Sequence, residues 1–214
     1  MVDMIGQILV KKKVITAWDL NEAMERKKQE PKKYLGQILC EMGLPQSKIV
    51  KCIYYSNKRK QLGQVLVELN IITTEQLNTI LLKQKDLKGK REYMPLGTLM
   101  VKNGIISEDN YLDALSAHFS LPIVSLKDYK IDSSMQKAIG EEFAMNDRII
   151  VLKNSPLELT VAIAEPHLLL FERLEKSMPE GKHVMFYIAK ISEIERCFDE
   201  KYDYYGYSGY RTTR

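Results

Sequence analysis

Three histidines (His118, His167, His183), three cysteines (Cys40, Cys52, Cys197), two Gly-Lys pairs and two carboxylate clusters carry the catalytic potential of this chain. A phosphate-holding loop needs a Gly-rich turn between a strand and a helix, closed by Gly-Lys-Ser/Thr, so that amides and lysine surround the phosphates. Gly89-Lys90 runs into Arg91 and Gly181-Lys182 into His183, and neither pair opens a helix after a strand. Structural zinc needs closely spaced Cys and His pairs; there is no CxxC, and the cysteines form no metal-like cluster with the histidines. Glu141-Glu142 and Glu193/Glu195 read as solvated helix charges, since no nucleophile accompanies them in a compatible motif. His118 lies on an apolar helix face and reads as a hydrogen-bonded, partly buried residue, and Cys40 as inert core. Trp18 reads as a hydrophobic cover, with a docking anchor as the alternative. The expectation is a protein without enzymatic activity, metal or resident cofactor.

Those residues sit on a repeating frame. IGQILVKKKVIT begins at Ile5, LGQILCEMGLPQ at Leu35, LGQVLVELNIIT at Leu62 and LGTLMVKNGIIS at Leu96, spaced by 30, 27 and 34 residues. Self-similarity near this period signals stacked supersecondary units that cannot bury an apolar face alone. In the third copy Leu62, Val65, Leu66 and Leu69 fall on one helix face. Asn70 is a left-handed stop, matched by Gly43 and Gly104, and Thr73 with Gln76 forms a capping box for a second helix. Thr16 with Asp19 and then Ser107 repeat this cap, whereas Pro45 breaks the pattern in the second copy. Each copy is therefore predicted to be a helical hairpin. The glycine after each leading apolar residue is read as allowing a tight entry into the helix, or a ligand's approach to the backbone.

Past Leu121 the pattern changes. Residues 131–146 have helical period, RIIVLK (148–153) and LELTVAIAE (157–165) read as strands joined at Asn154-Ser155-Pro156, and a helix spans 168–177. A strand at 183–189 and a helix opened by Ser192, with Glu195 completing a capping box, close a small α/β unit. The fold class is α+β: an all-helical array of four hairpin repeats followed by a small α/β sandwich. The expected divisions are 1–60 (first repeat pair), 61–126 (second repeat pair), 127–203 (α/β subdomain) and 204–214 (a flexible Tyr/Gly-rich tail).

Composition bounds the partners. With 45% apolar and 28% charged residues, the chain reads as a globular protein. No apolar run approaches the roughly 20 residues that span a bilayer, and MVDMIGQILVKKK lacks the order of a signal peptide. The unpaired, scattered cysteines point to the cytoplasm. Residues 1–94 hold 18 Lys and Arg against 10 Asp and Glu. This excess, concentrated in RKKQEPKK, NKRK and KQKDLKGKRE, reads as solvated connectors, with an electropositive rim as the alternative. Without interleaved aromatics it does not predict a nucleic-acid groove.

The frame LGxxLVxxGxIxxxxLxxxLxxQ, followed by HFSLPIVSL (118–126), DRIIVLK, LTVAIAEP and AKISEIERCFDEKY, resembles the GspE/PilB N-terminal (MshEN) domain of type II secretion and type IV pilus assembly ATPases. The resemblance implies a module separated from its ATPase motor and acting as a non-catalytic cytoplasmic adaptor or regulator. It would dock on protein components of a pilus, secretion or motility apparatus, through which it is recruited to the inner face of the inner membrane. The alternative it implies is a receptor for cyclic di-GMP held between paired Leu-Gly repeats. Carried onto this sequence, the ligand residues are Leu62, Gly63, Leu66, Leu77, Leu81 and Gln84 in the third copy. The fourth supplies Leu96, Gly97, Met100, Leu115 and His118, the last standing where the family has Gln, and the second supplies Leu35 and Gly36. The family's arginine before Leu-Gly is replaced by Met4, Tyr34, Gln61 and Pro95. Losing two charge-assisted contacts costs roughly 3–6 kcal/mol.

Overall fold

The computed structural model describes residues 4–31, 33–55, 61–89 and 94–204. The Tyr/Gly-rich stretch expected as a tail lies, from residue 205 onward, outside the described residues, as do the connector residues Lys60 and Arg91. Four helical hairpins open the chain: α1 (Met4–Lys11) and α2 (Ala17–Gln29), α3 (Leu35–Glu41) and α4 (Gln46–Tyr54), α5 (Leu62–Glu68) and α6 (Thr74–Gly89), and α7 (Leu96–Lys102) and α8 (Glu108–Phe119).

Each first helix ends in the same way. Lys13, Gly43, Asn70 and Gly104 all take positive φ, at 56°, 97°, 56° and 67°. In each copy two backbone bonds close the end, as in Val14 N–H to the Leu9 carbonyl (2.9 Å) and Ile105 N–H to that of Met100 (3.0 Å). These are Schellman caps, which satisfy carbonyls the helix leaves unpaired. Lys13, a residue whose type gives no stop signal, occupies the same backbone state as the two glycines. The second helices start on the expected caps: Thr16 with Asp19, Thr73 with Gln76, and Ser107 accepting from Asn110 N–H at 3.1 Å. After Pro45 the second copy starts its helix at Gln46.

At three of the four leading positions the glycine serves the packing of its own hairpin. Gly6, Gly36, Gly63 and Gly97 sit in the first turn of their helices and none has positive φ. A Cβ on Gly63 would lie 2.6 Å from Leu77 Cδ1, and one on Gly97 2.6 Å from Tyr111 Cδ2; on Gly6 it would run into Leu20. Each partner lies fourteen residues on, in the second helix of the same hairpin. The missing side chain lets the two helices close on each other. Gly36 departs again: its nearest neighbours, Ser120 O at 3.6 Å and Ile49 Cγ2 at 3.9 Å, are in ordinary contact.

The hairpins pair off. Helix α1 packs on α4 and α2 on α3; α5 packs on α8 and α6 on α7 in the same manner. The first pair encloses its own small core of Leu9, Ile15, Leu20, Ala23, Leu35, Ile38, Leu39 and Ile49.

The remainder comprises α9 (Ser133–Gln136), α10 (Glu141–Asn146), β1 (Ile149–Asn154), β2 (Glu158–Ile163), α11 (Leu168–Ser177), β3 (His183–Ile188) and α12 (Ile191–Tyr204). The segment expected as one helix over 131–146 is two, because Gly140 at φ 84° interrupts it. The three strands form one sheet in the order β1-β2-β3, β1/β2 antiparallel and β2/β3 parallel. Alternate residues face opposite sides. Ile149, Val151, Val161, Ile163, Phe186 and Ile188 join Leu66, Met100, Leu115 and Phe171 in one core that runs continuously from the second repeat pair into the sheet. Ile150 and Ala162 face a second cluster with Ile194, Cys197 and Phe198 of α12. Ser192 caps nothing: it lies inside α12, and its N–H and hydroxyl donate to the Glu108 carboxylate, while Glu195 pairs with Arg148 at 3.1 Å instead of closing a capping box.

Candidate functional site

The residues singled out for ligand binding divide into three groups. Leu66, Met100 and Leu115 are interior, each at most 4% exposed, and hold the continuous core together. Gly63 and Gly97 are covered from within by Leu77 and Tyr111. Leu62, Leu77 and Leu96 are half-buried, and Leu81 is 41% exposed. Leu96 Cδ2 lies 3.4 Å from the place of a Cβ on Gly63, so the entries of α5 and α7 meet. Gln84 closes α6 by donating from Nε2 to the Met94 carbonyl at 2.8 Å, tying the end of α6 to the approach of α7. His118 stands edge-on to Phe119, ring centroids 4.7 Å apart.

Leu35 and Gly36 do not join them. Leu35 is 2% exposed in the separate core of the first pair. Tyr34, which stands where the motif arginine would be, is hydrogen-bonded through its hydroxyl to Ser116, whose hydroxyl also reaches the Leu121 carbonyl at 2.8 Å. The Tyr34-Leu35-Gly36 entry is thus occupied by α8 and its following turn. At the third copy, Gln61 serves its own helix, its N–H donating to Gln64 Oε1 at 3.0 Å.

A polar network flanks α7. Thr98 donates to Glu165 at 2.9 Å, Glu165 faces Arg148 at 3.4 Å, and Arg148 reaches Glu195. Burial pushes the Tyr111 phenol up to about 12, keeping it protonated and able to donate. Lys190 pairs with Asp109 at 2.5 Å, so the acidic start of α8 is bound to the start of α12. These bonds connect elements.

Local spacing holds no signal for a second set of polar contacts, where the first repeat pair meets α11 and the sheet. Ser47 donates from its N–H (3.3 Å) and its hydroxyl to Glu175 of α11; Lys51 pairs with Glu172 at 2.8 Å; Gln37 donates to the Tyr187 hydroxyl at 3.3 Å. Burial pushes the Glu175 carboxyl up to about 6, against the pull of the Ser47 N–H and Lys48. Gln46, 1% exposed, accepts the Phe186 N–H at 2.7 Å. Partners 121–150 residues apart leave no trace in local spacing.

No group of three His, Cys, Asp or Glu able to hold a metal occurs among the described residues, and no helix among them is long and apolar enough to cross a membrane. Burial raises the Cys40 thiol to about 12, far from the thiolate a nucleophile needs.

Comparison with known proteins agrees with this architecture. Residues 119–205, the sheet subdomain and its lead-in, match the MshEN domain model. The type IV pilus assembly ATPase PilB of Myxococcus xanthus is 30% identical over 106 residues, half of this chain but 18% of PilB, so the chain spans a small part of that relative. Among solved structures, MshE with cdg (cyclic di-GMP) is 29% identical with a TM-score of 0.56, over 66% of this chain and 99% of that one. The N-terminal domain of XpsE is 17% identical with a TM-score of 0.44, over 64% of this chain and 91% of that one. Residues 119–205 are thus similar to the MshEN domain, and the α+β fold of the chain is similar to that of MshE.

Proposed function

We propose that this chain is a non-catalytic regulatory module of a type IV pilus, type II secretion or related motility machine, acting in the cytoplasm by docking on the machine's protein components. The observation that carries the reading is the filling of the Leu-Gly entries from within: Leu77 and Tyr111 occupy the space beside Gly63 and Gly97, and the Ser120 carbonyl, just past α8, and Ile49 lie beside Gly36. Repeats packed in this way make a rigid platform, the form that recognises a partner without transforming it. Affinity capture of the full chain from its native host tests the proposal. Components of a pilus, secretion or motility apparatus are expected among the captured proteins, and their absence from a capture that recovers other partners would overturn it.

The likeness to MshE with cdg supports a second reading, a cyclic di-GMP receptor in the second repeat pair. The half-buried and exposed strip of Leu62, Leu77, Leu81, Gln84 and Leu96 is the surface that would meet the dinucleotide. Gln61 and Pro95 supply no charge there, so a micromolar site would weaken by a factor of about 10² to 10⁴. Calorimetry at roughly 100 µM cyclic di-GMP, well above a micromolar Kd, separates the two. Heat that saturates, and vanishes in a Leu81→Ala/Gln84→Ala variant, supports the receptor; no heat leaves the docking module. Exposed positions are the right ones to change, because alanine at Gly63 or Gly97 would disturb the packing itself.

A further inference from the structure

The second helices of the first and third hairpins are two versions of one element. Thr16 and Thr73 cap them, and Leu20 and Leu77 fill the same place against Gly6 and Gly63. Ala23 and Ile80 are the buried residues one turn further on. The outer faces then differ. On α2, Glu22 pairs with Arg26, and Glu25 with Lys28 at 2.6 Å, so the helix neutralises its own cations. On α6, Thr79 stands in the place of Glu22 and Leu82 in that of Glu25. Leu82 is 70% exposed, beside Leu81 at 41%. Lys85 lies one turn past Leu82 and Lys88 one turn past Lys85, and neither lysine has an ion pair among the described residues. Asp86, the carboxylate of this stretch, is itself engaged.

The hairpin's own packing does not call for so long a helix. Helix α6 runs 16 residues, against 7 each for its neighbours α5 and α7. Ile80 is its one buried residue, and beyond it Gln84 and Leu87 are half-buried while the others are exposed. Elsewhere the chain closes its joints with an apolar contact beside a Lys–carboxylate pair. Val50 enters the continuous core next to Lys51, which reaches Glu172 of α11 at 2.8 Å. Buried Ala189 precedes Lys190, which reaches Asp109 of α8 at 2.5 Å. Leu82 with Lys85 and Lys88 is one half of such a joint, and its chemistry names the other half: an apolar side chain flanked by carboxylates one turn apart. An anionic bilayer is a poorer match, because Glu75 and Asp86 lie on the same face as Leu82.

We propose that the outer face of α6 is a docking surface for an acidic amphipathic helix of a partner protein, which sets an apolar side chain on Leu82 and carboxylates on Lys85 and Lys88. The proposal rests on the docking function given above and adds the face and the partner's chemistry. Leu81 borders the strip considered for the dinucleotide, whereas Leu82 lies about 100° further round the helix. A change at Leu82 therefore tells the two surfaces apart.

The test uses the full chain, the variant Leu82→Gln and the double charge reversal Lys85→Glu/Lys88→Glu. These positions are exposed, so an unchanged urea midpoint checks that each variant keeps the fold. The probes are two fluorescent peptides of one apolar pattern, EELAELLEELAELL and its counterpart with lysine for every glutamate, titrated with protein to roughly 100 µM. The acidic peptide should bind the wild-type chain, and bind either variant about tenfold more weakly. The basic peptide should bind the charge-reversed variant and leave the wild-type chain alone. An acidic peptide that does not bind, or binds wild type and variants equally, overturns the proposal, as does equal binding of both peptides to the wild-type chain. Phosphatidylserine vesicles that sediment the wild-type chain but not Leu82→Gln would make the face a lipid surface, and a dimer lost in Leu82→Gln would make it a self-contact; either overturns the acidic partner. Capture from the native host separates this proposal from the machine assignment. If Leu82→Gln recovers the same pilus or secretion components as wild type, the face is overturned and the assignment stands.

Discussion

Replacing Gly97 by alanine should destabilise the protein, and the same change at Gly36 should not. The Cβ introduced at Gly97 would stand 2.5 Å from Tyr111 Cζ and 2.6 Å from Cδ2. Carbon atoms in contact prefer about 3.5–4.0 Å, and Tyr111 Cε2 lies closer still than Cζ, so the ring must retreat by roughly 1.5 Å. Tyr111 is 5% exposed and hydrogen-bonded to Thr98, with nowhere to go that does not displace the core. Overpacking of this kind costs about 1–3 kcal/mol, and the better helix propensity of alanine returns up to about 1 kcal/mol. The net loss is about 1–2 kcal/mol. At Gly36 the nearest atom is 3.6 Å away, so only the propensity gain acts. Urea unfolding of the full chain, followed by circular dichroism, reads the difference directly. With slopes of about 1–3 kcal/mol/M, the two midpoints should separate by roughly 1 M. In a Tyr111→Ala background the Gly97→Ala penalty should shrink, which a double-mutant cycle measures. Equal shifts at Gly36 and Gly97, or no coupling to Tyr111, would refute the close-packing role assigned to the leading glycines.

Glu175 should make stability fall with rising pH. Its folded value is held at about 6 by burial, above the ordinary 4.5, so the protonated form suits the fold better. That contribution is complete below about pH 4.5 and is lost as pH climbs through 6, so the urea midpoint should drop across this window and flatten in Glu175→Gln; a midpoint rising over the same range would contradict the placement against Ser47. Gln136→Ala strips two buried backbone groups, the Ile149 carbonyl and the Val151 N–H, of a partner and should cost about 2–4 kcal/mol, whereas Gln46→Ala strips the Phe186 N–H alone and should cost about 1–2 kcal/mol. A larger loss at Gln46 would reverse the ranking of the two glutamines. Iodoacetamide at pH 8 should leave Cys40 unlabelled in the folded chain and label it in urea, and rapid labelling of the folded form would refute its burial against Val184.

Local grammar was legible. The caps at Thr16, Thr73 and Ser107, the stops at Gly43, Asn70 and Gly104, and the strands on either side of Ser155-Pro156 follow from backbone chemistry within a few residues. Where tertiary contacts compete with a local signal, the reading went astray. Ser192 looked like a cap but spends its hydroxyl on Glu108, eighty-four residues away. Helix α9 stops at Gln136 and Gly140 opens α10, where periodicity alone would have continued one helix. The candidate ligand residues mix interior and surface positions, because a pattern of types does not state which side of a helix faces its hairpin partner. The Gln46, Ser47 and Tyr34 contacts were beyond reach, since each depends on a residue more than eighty positions distant.

The half-polar face of α4 also has a history within each molecule's synthesis. Gln46 and the strand that donates to it are separated by 140 residues. At about 5–20 residues per second, the ribosome delivers β3 roughly 7–28 s after α4 has emerged. Throughout that wait the nascent hairpin must stand alone beside a crowd of other growing chains. A surface of serine, glutamine and lysine can stay hydrated for those seconds without recruiting chaperones or sticking to neighbours, whereas a greasy one could not. The polar residues of α4 let the first fifty residues wait safely for their seat.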